Sequence, residues 1–417
     1  MSDTGERIVE KPSWIQRLGS SFKGILTGLG LFVAGIILLF WNEGRAVDTA
    51  QRLKEGAAAV VELQSADQVD PANEGKLVHV SGKADTKDIL SDDVFGISDN
   101  ALRLQRTVEI FQTVEYIEKK DEGNKTREVP KYENEWCEKP VDSSGFRNES
   151  MRGANPPLAK PYENESRTAQ SVTLGAFRLS EEHVIRIPLS DYTFQTNYVA
   201  PNGMEYAKGS KYVYVPVDPV AALGTSTTSS AGGSPLLAQQ VANKVAQAVV
   251  GRSVATRPKP GDLRVSFKVA KPCEVSIIQG QKGDALVPWT TPKGKVLPLM
   301  FSKGTVPAAA MFASAQSSNS TLTWILRFVG ILVLYFGLKG VLGPLDTLVD
   351  VIPILNRIVA LGTSLAAALV AGACGLLTIG ISWVYHRPWV GIPLILGGVG
   401  LLVMAFMKKR KSTAAAA

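Results

Sequence analysis

Phe40-Trp41-Asn42-Glu43-Gly44-Arg45-Ala46-Val47, or FWNEGRAV, ends the first long apolar run of the sequence. That run, Phe22 to Trp41, is almost uncharged and about 20 residues long, which is enough to cross the hydrocarbon core as a helix. Tryptophan is typical of headgroup depth, so Glu43 and Arg45 are predicted to be the first residues in water. The stretch therefore predicts a boundary between a membrane span and an aqueous domain.

Three further apolar runs lie near the C-terminus. Four such runs favour membrane insertion over buried core helices, and the first begins too late and is too long for a secretory signal peptide. The predicted transmembrane helices are 22–41, 321–342, 358–385 and 389–407. Trp324, Trp383, Tyr385 and Trp389 mark further predicted borders in the way that Trp41 does.

Basic residues cluster at both ends of this chain of net charge +7. Arg7, Lys11, Arg17 and Lys23 precede or open the first span, and Lys408-Lys409-Arg410-Lys411 follows the last. The positive-inside rule then predicts a cytoplasmic N-terminal tail with an interfacial helix (1–21) and a cytoplasmic basic tail (408–417). Both clusters are expected to contact anionic membrane lipids. Aromatic residues do not interleave with the basic ones, which argues against a nucleic-acid partner.

Residues 42–320 are predicted to form a periplasmic or lumenal β-rich domain. Apolar and polar residues alternate in Lys76 to Ala84 and in the longer LRLQRTVEIFQTVEYIEK, residues 102–119. Shorter strand patterns follow in SVTLGAFRLS, HVIRIPLS, KYVYVPVD, GDLRVSFKV and CEVSIIQGQ. Lys119 to Pro140 is dense in charge and is predicted to be a long hairpin arm or a loop. The fold class is thus an α+β membrane protein with a mostly antiparallel β domain between one N-terminal and three C-terminal transmembrane helices.

Helical patterns flank and interrupt this domain. A helix that starts near Asp48 or Thr49 is predicted just after the first span. Residues 224–251 combine a Gly/Ser linker with an amphipathic helix, which could pack on its own β domain, on the bilayer or on a neighbouring subunit. Gly343-Pro344 is predicted to end the second span and to open a cytoplasmic-face turn at 343–357.

The spans carry small residues and one arginine. Gly24 and Gly28 form a GxxxG pair, and the third and fourth spans are rich in glycine, which favours close helix packing. Arg327 lies about two turns inside the second span. It either reaches back to the interface or pairs with an acid from another helix; its position favours the first.

Signatures of catalysis are missing from the sequence. His79, His183 and His386 are far apart and have no partners at metal-ligand spacing. His79 and His183 lie in strand-like stretches and are interpreted as sheet residues. We therefore predict no catalytic, cofactor-binding or metal-ligating residue, no cofactor and no enzymatic activity.

The three cysteines do not indicate a redox site. Cys374 is expected to pack within the membrane, whereas Cys137 and Cys273 lie where an oxidising compartment would permit a disulfide. Whether they form one is left open.

Several local strings together resemble the LUMA family, the family of transmembrane protein 43. They are WNEGRAV, GKLVHVSG, FGI with LRLQRTVEIFQTVEY, YENEW, NPP, VTLGAFRL, GDLRVSFKV, AQSSNSTLTWILR, VDVIPILNR and YHRPW. The resemblance implies one N-terminal span, a large lumenal or periplasmic domain and three C-terminal spans. It also implies a membrane organiser; eukaryotic members reside in the ER and inner nuclear membrane and act as scaffolds. The chain departs from these members in its alanine-rich tail and its Gly/Ser linker, and its composition and tail favour a bacterial inner-membrane member.

Three functions are consistent with the sequence. The first hypothesis is a scaffold that self-associates and organises membrane proteins or lipid patches, with membrane lipids, other membrane proteins and copies of itself as partners. The second is an oligomeric pore or lipid-handling assembly, which would need polar residues such as Thr363, Ser364, Thr378 and Ser382 on one helix face. The third is an anchored extracytoplasmic enzyme, which would need polar groups with perturbed pKa values that converge in a cleft. Alanine replacement of His79 and His183 would test it.

Overall fold

The computed structural model describes residues 5–10, 14–122, 125–156, 162–201, 204–216, 254–349, 353–389 and 391–393. Its helices are α1 (Trp14–Ala59), α2 (Glu181–Arg186), α3 (Ala308–Val349) and α4 (Pro353–His386). The strands of its first half are β1 (Arg7–Glu10), β2 (Val61–Glu62), β3 (Leu77–Thr86), β4 (Ile89–Asp92), β5 (Ile97–Asn100), β6 (Arg103–Glu122), β7 (Lys125–Cys137), β8 (Glu165–Thr168), β9 (Val172–Leu174) and β10 (Phe177–Leu179). Those of the second half are β11 (Ser190–Asp191), β12 (Glu205–Tyr206), β13 (Tyr212–Val215), β14 (Leu263–Ala270), β15 (Cys273–Lys282), β16 (Ala285–Val287), β17 (Trp289–Thr290), β18 (Val296–Leu297) and β19 (Met300–Lys303).

Two larger sheets build the β domain. One has eight strands, with β1-β7-β6-β14-β13-β12 in order and β8 and β11 alongside, and the other has seven, in the order β19-β15-β16-β10-β9-β3-β2. Their pairings are antiparallel except for β2 with β3 and β10 with β16. Each sheet contributes to a core of buried aliphatic and aromatic side chains. The structure confirms the predicted α+β class with a mostly antiparallel domain.

The predicted hairpin arm is present. β6 and β7 pair from Ile110 with Cys137 out to Glu122 with Lys125. Near its base, Leu104, Val108 and Ile110 are buried on one face, as the alternation of the sequence predicts.

Helix α1 continues without a break from the membrane span into the β domain. We predicted a new helix near Asp48, and this was wrong: nothing between Trp41 and Ala59 stops the first one. A single glycine costs a helix about 1 kcal/mol, and contacts around Gly44 offset that cost. Asp48 instead forms a salt bridge with Arg52 and contacts Lys295.

Helices α1 and α3 join the membrane part to the β domain through a shared core. Leu53 of α1 and Met311 and Phe312 of α3 are buried together with Leu77 of β3 and Ile278 of β15. This contact also explains why β3 is buried on both faces, where the sequence pattern predicted a half-buried strand.

Within the membrane part, α1 and α3 are in backbone contact through glycines. A Cβ on Gly28 would lie 2.6 Å from the carbonyl oxygen of Gly337, and a Cβ on Gly337 would lie 2.6 Å from the backbone nitrogen of Phe32. Helix α4 packs on the same pair, where Gly375 touches Ile331. The small-residue prediction for the first span is therefore confirmed at Gly28, whereas Gly337 was not singled out.

The membrane return differs from the prediction in one respect. Helix α3 runs through Gly343-Pro344 to Val349, and α4 starts at Pro353, so the predicted turn at 343–357 is mostly helix. A proline removes one backbone donor, and neighbouring groups in transmembrane helices compensate for that loss.

In the described part of the chain, three helices are long and apolar enough to span a membrane: Gly24–Ala59, Ala308–Leu342 and Ala367–His386. Pro388 and Trp389 are helical again. Most of the predicted fourth span at 389–407, the tail at 408–417 and the linker and helix at 224–251 lie outside the described residues.

The N-terminal tail is the least expected part of the fold. Residues 7–10 of the tail that we predicted to be cytoplasmic form β1, which pairs Ile8 with Arg127 near the tip of the hairpin arm. A bilayer around residues 22–41 would separate these strands, because the base of the arm lies at the far end of α1. The arm is too rich in charge and exposed backbone to lie in lipid. A spanning α1 therefore predicts that β1 is separated from the arm in the membrane.

Candidate functional site

FWNEGRAV lies where α1, α3 and α4 meet, at the membrane end of the β domain. Glu43 is only 2% exposed, and both of its carboxylate oxygens accept hydrogen bonds from Arg327 of α3, at 2.6 and 2.8 Å. We predicted Glu43 to be in water, and this was wrong because the side chain is buried. For Arg327 we favoured a side chain that reaches back to the interface over one that pairs with an acid. The alternative held: Arg327 pairs with an acid from another helix, because a guanidinium in the apolar region is stabilised by a carboxylate partner.

Two tryptophans complete the ion pair. The indole Nε1 of Trp383 in α4 donates to Glu43 at 2.7 Å. The Arg327 guanidinium lies 4.7 Å from the ring centroid of Trp324 and 5.6 Å from that of Trp383, within cation–π range. Glu43 thus links all three helices, and we call Glu43, Arg327, Trp324 and Trp383 the junction cluster.

A second set of polar contacts lies one turn closer to the β domain. Arg45 donates to Asn319 Oδ1 at 3.1 Å and to Thr323 Oγ1 at 3.0 Å. Asn42 donates to the Thr323 carbonyl at 3.1 Å, and Asn319 donates to the Ala46 carbonyl at 3.0 Å. These bonds fix the register of α1 against α3, because each side chain bonds to a specific partner on the facing helix.

Gly44 makes room for α4. A Cβ at this position would lie 2.8 Å from the ring of His386, and the same ring packs 5.4 Å from that of Phe40. On the next turn Ser382 donates to the Phe40 carbonyl at 3.2 Å. The glycine of FWNEGRAV is therefore required by close approach rather than by a turn.

Aromatic side chains surround the bundle at this height. Trp41, Trp324, Tyr385 and Trp389 are each more than half exposed. Amphipathic rings on the outside of a helix bundle are typical of the membrane–water interface. The junction cluster is thus at the boundary between the membrane and the β domain.

A cleft of about 490 Å³ opens beside the junction cluster, between the helices and the β domain. Its lining includes Arg45 and Leu53 from α1, Met311 and Leu322 from α3, and Arg186 and Phe301 from the β domain. Among the described residues that line it, none is acidic. The cleft therefore combines apolar walls with two cations.

The histidines predicted as sheet residues have structural contacts. His79, in β3, bonds to the carbonyl of Val306 at 2.9 Å. His183 is in α2 rather than in a strand, because Ser180 and the acids Glu181 and Glu182 favour a helix start there.

The hydrogen bonds of His183 define its protonation state. Its Nδ1 accepts from the Ser180 backbone N–H at 3.0 Å, so Nε2 carries the proton and donates to Gln279 at 2.7 Å. Burial lowers the pKa of His183. Neither His183 nor His79 lines the large cleft.

The other predicted positions also have structural environments. Cys137 and Cys273 are free thiols on different sheets, and burial raises the pKa of each. In the described residues no group of three or more His, Cys, Asp or Glu side chains could hold a metal ion.

The polar side chains of the third span do not line a common face. Thr378 bonds to the carbonyl of Cys374 in its own helix, Ser382 bonds to α1, and Ser364 accepts from Lys339 of α3 at 2.5 Å. The side chain of Thr363 lies outside the described residues. These contacts use the hydroxyl groups within the bundle, which does not favour the pore hypothesis.

Comparison with known proteins identifies the family. The family model described as "Transmembrane protein 43" matches residues 110–388. The chain belongs to the transmembrane protein 43 family. Transmembrane protein 43 of Rattus norvegicus is 31% identical, covering 97% of this chain and 94% of that protein. The Homo sapiens protein is 30% identical, covering 96% of this chain and 93% of that protein. The Drosophila melanogaster homolog is 27% identical, covering 92% of this chain and 94% of that protein. No solved structure matches.

The match to the Rattus norvegicus protein includes the membrane helices and the β domain, because it covers 97% of this chain. The resemblance read from local strings is confirmed, and the chain is an integral membrane protein. Three of those strings, WNEGRAV, AQSSNSTLTWILR and YHRPW, supply Glu43, Arg327 and His386 at the junction. Sequence reasoning quoted these strings without the contacts between them, because pairing between distant helices leaves no local periodicity.

Proposed function

We propose that this chain is a non-catalytic membrane scaffold, which holds a β domain rigidly over the bilayer and presents it to other membrane proteins and to further copies of itself. The observation that carries the proposal is the continuity of α1 and α3. Both helices leave the membrane part and enter the core of the β domain without a loop. Such a connection fixes the orientation of a binding surface relative to the membrane.

The junction cluster supports the same proposal. A buried ion pair adds little net stability but fixes one arrangement of its partners, because each alternative leaves a charge unpaired. Glu43 has partners on both α3 and α4, so the helices and the domain they carry keep one orientation. We propose that N- and C-termini are cytoplasmic, as the terminal basic clusters favour.

Particle size in native lipid nanodiscs tests the scaffold proposal. The protein is extracted with its surrounding lipid, without detergent, and imaged. We expect clusters or rings of several copies with co-purifying lipid. A monodisperse monomer without bound protein would contradict self-association and would direct attention to the cleft. A flux assay on the same particles tests the pore alternative, for which we expect no conductance.

A further inference from the structure

The cleft beside the junction cluster has the chemistry of a ligand site that the scaffold role does not require. Its volume of about 490 Å³ lies within the range of small-ligand pockets, about 300–1,000 Å³. Its walls are largely apolar, with Leu53, Leu299, Phe301, Met311 and Leu322 among them. Its charged members are Arg45 and Arg186. An apolar chain with an acidic end would satisfy both features.

Arg45 forms no salt bridge within the described contacts, although Glu43, two residues away, is close enough to act on its charge. Its hydrogen bonds go to Asn319, Asn42 and Thr323, which are neutral. The nearby Glu43 is engaged on both oxygens by Arg327. An arginine held by neutral groups beside an apolar wall keeps its attraction for an anion, since the surrounding dielectric is lower than that of water.

Arg186 supplies the second charge from the opposite wall. It ends helix α2, and its contact with Glu182 is long, 3.7 Å, between side chains that are 46% and 58% exposed. Exposed ion pairs of this kind contribute little to stability, so Arg186 can exchange Glu182 for another anion at little cost. The guanidinium is therefore available to an acidic group in the cleft.

The position of the cleft determines where its ligand comes from. Leu322, which lines the cleft, is also one of the exposed apolar residues of α3, two positions before the exposed Trp324. The cleft thus meets the bilayer at the height of the aromatic side chains that mark the interface. A molecule in the adjacent leaflet can enter from the side without leaving its lipid environment.

We propose that this cleft binds one anionic phospholipid from the leaflet that faces the β domain. Arg45 and Arg186 bind the phosphate of its headgroup, which no choline cation neutralises, and the upper part of one acyl chain lies against Leu53, Met311 and Leu322. The site is built by a single chain, so the proposal does not depend on self-association. It adds a lipid specificity to the scaffold.

Lipid retention by the full-length chain tests this site. The protein is placed in nanodiscs of phosphatidylcholine with a minor fraction of phosphatidylglycerol, released, and examined by native mass spectrometry. The wild type is expected to retain one phosphatidylglycerol in preference to phosphatidylcholine. Arg186→Gln should reduce that preference about fivefold, which corresponds to about 1 kcal/mol for one charge. Ser318→Trp, which fills the cleft, should abolish it.

Arg152→Gln is the matched control. The Arg152 side chain is 47% exposed and pairs with Glu149 elsewhere in the β domain, so this variant loses the same charge without touching the cleft. Basic residues elsewhere in the chain are also expected to attract phosphatidylglycerol, and the readout is therefore the difference between Arg186→Gln and Arg152→Gln. Equal retention by these two variants would overturn the proposal. Displacement by palmitate with no preference for phosphatidylglycerol would also overturn it, in favour of a free fatty acid.

Discussion

At the scale of single residues, the account depends on Glu43. Its side chain is 3% exposed and that of Arg327 is 14% exposed, so removing the acid leaves a poorly hydrated cation without a partner. Glu43→Gln should lower the free energy of unfolding by about 3 kcal/mol, at the low end for breaking a buried pair. SDS titration in mixed micelles measures this change.

The exposed pair of Glu149 with Arg152 provides the control for Glu43. Glu149→Gln should cost less than about 1 kcal/mol, since these side chains are 65% and 47% exposed. The double variant Glu43→Gln/Arg327→Gln should lose less free energy of unfolding than the two single variants lose when their losses are added. Additive costs would show that the two side chains do not act as a pair.

A second residue-scale prediction concerns pH. Burial lowers the pKa of His183 in the folded state, so the unfolded chain binds the proton first as the pH falls. The stability from this group is present above the unfolded pKa of about 6.5 and is lost as the pH falls below it. Between pH 7 and pH 5, wild type should lose more stability than His183→Gln. Parallel losses would contradict a buried neutral imidazole.

At the scale of elements, glycine contacts hold α1 against α3. Gly337→Ala forces a Cβ to within 2.6 Å of the Phe32 backbone, and overpacking of this kind costs about 1–3 kcal/mol. Gly372→Ala in α4 is the matched control, because no described atom lies within 4 Å of its added Cβ. The midpoint of thermal unfolding should be lower than that of the wild type for Gly337→Ala and unchanged for Gly372→Ala. Equal midpoints would argue against the close helix contact.

Sequence patterns predicted the elements better than their contacts. The first three apolar runs, the alternation in β6 and the hairpin arm are local patterns, and the structure contains each of them. The end of α1 was misplaced because a polar stretch reads as solvent-exposed, although Asn42 and Glu43 are buried by α3 and α4. His183 was misassigned because α2 has only six residues, which is too short for the helical period to be distinguished from the alternation of a strand.

At the scale of the whole molecule, the position of the N-terminus is open to a direct test. Ile8 and Arg127 are directly opposite in β1 and β7, close enough for a disulfide between strands. If α1 spans the bilayer, Ile8→Cys/Arg127→Cys should not cross-link in membranes when the native cysteines are replaced. Lys119→Cys/Glu128→Cys, opposite each other within the arm, should cross-link. A bridge between residues 8 and 127 would place the N-terminus on the side of the β domain.

The central claim is that the junction cluster and the continuous helices hold the β domain in one orientation over the membrane. A pair of spin labels tests it, one on Ile37→Cys in the span and one on Lys83→Cys in β3, in a chain without native cysteines and in nanodiscs. Pulsed electron–electron double resonance measures the distribution of distances between the labels. The account predicts one narrow distribution for the otherwise native chain and a broader one when Glu43→Gln is added. A broad distribution in the otherwise native chain, unchanged by Glu43→Gln, would contradict it.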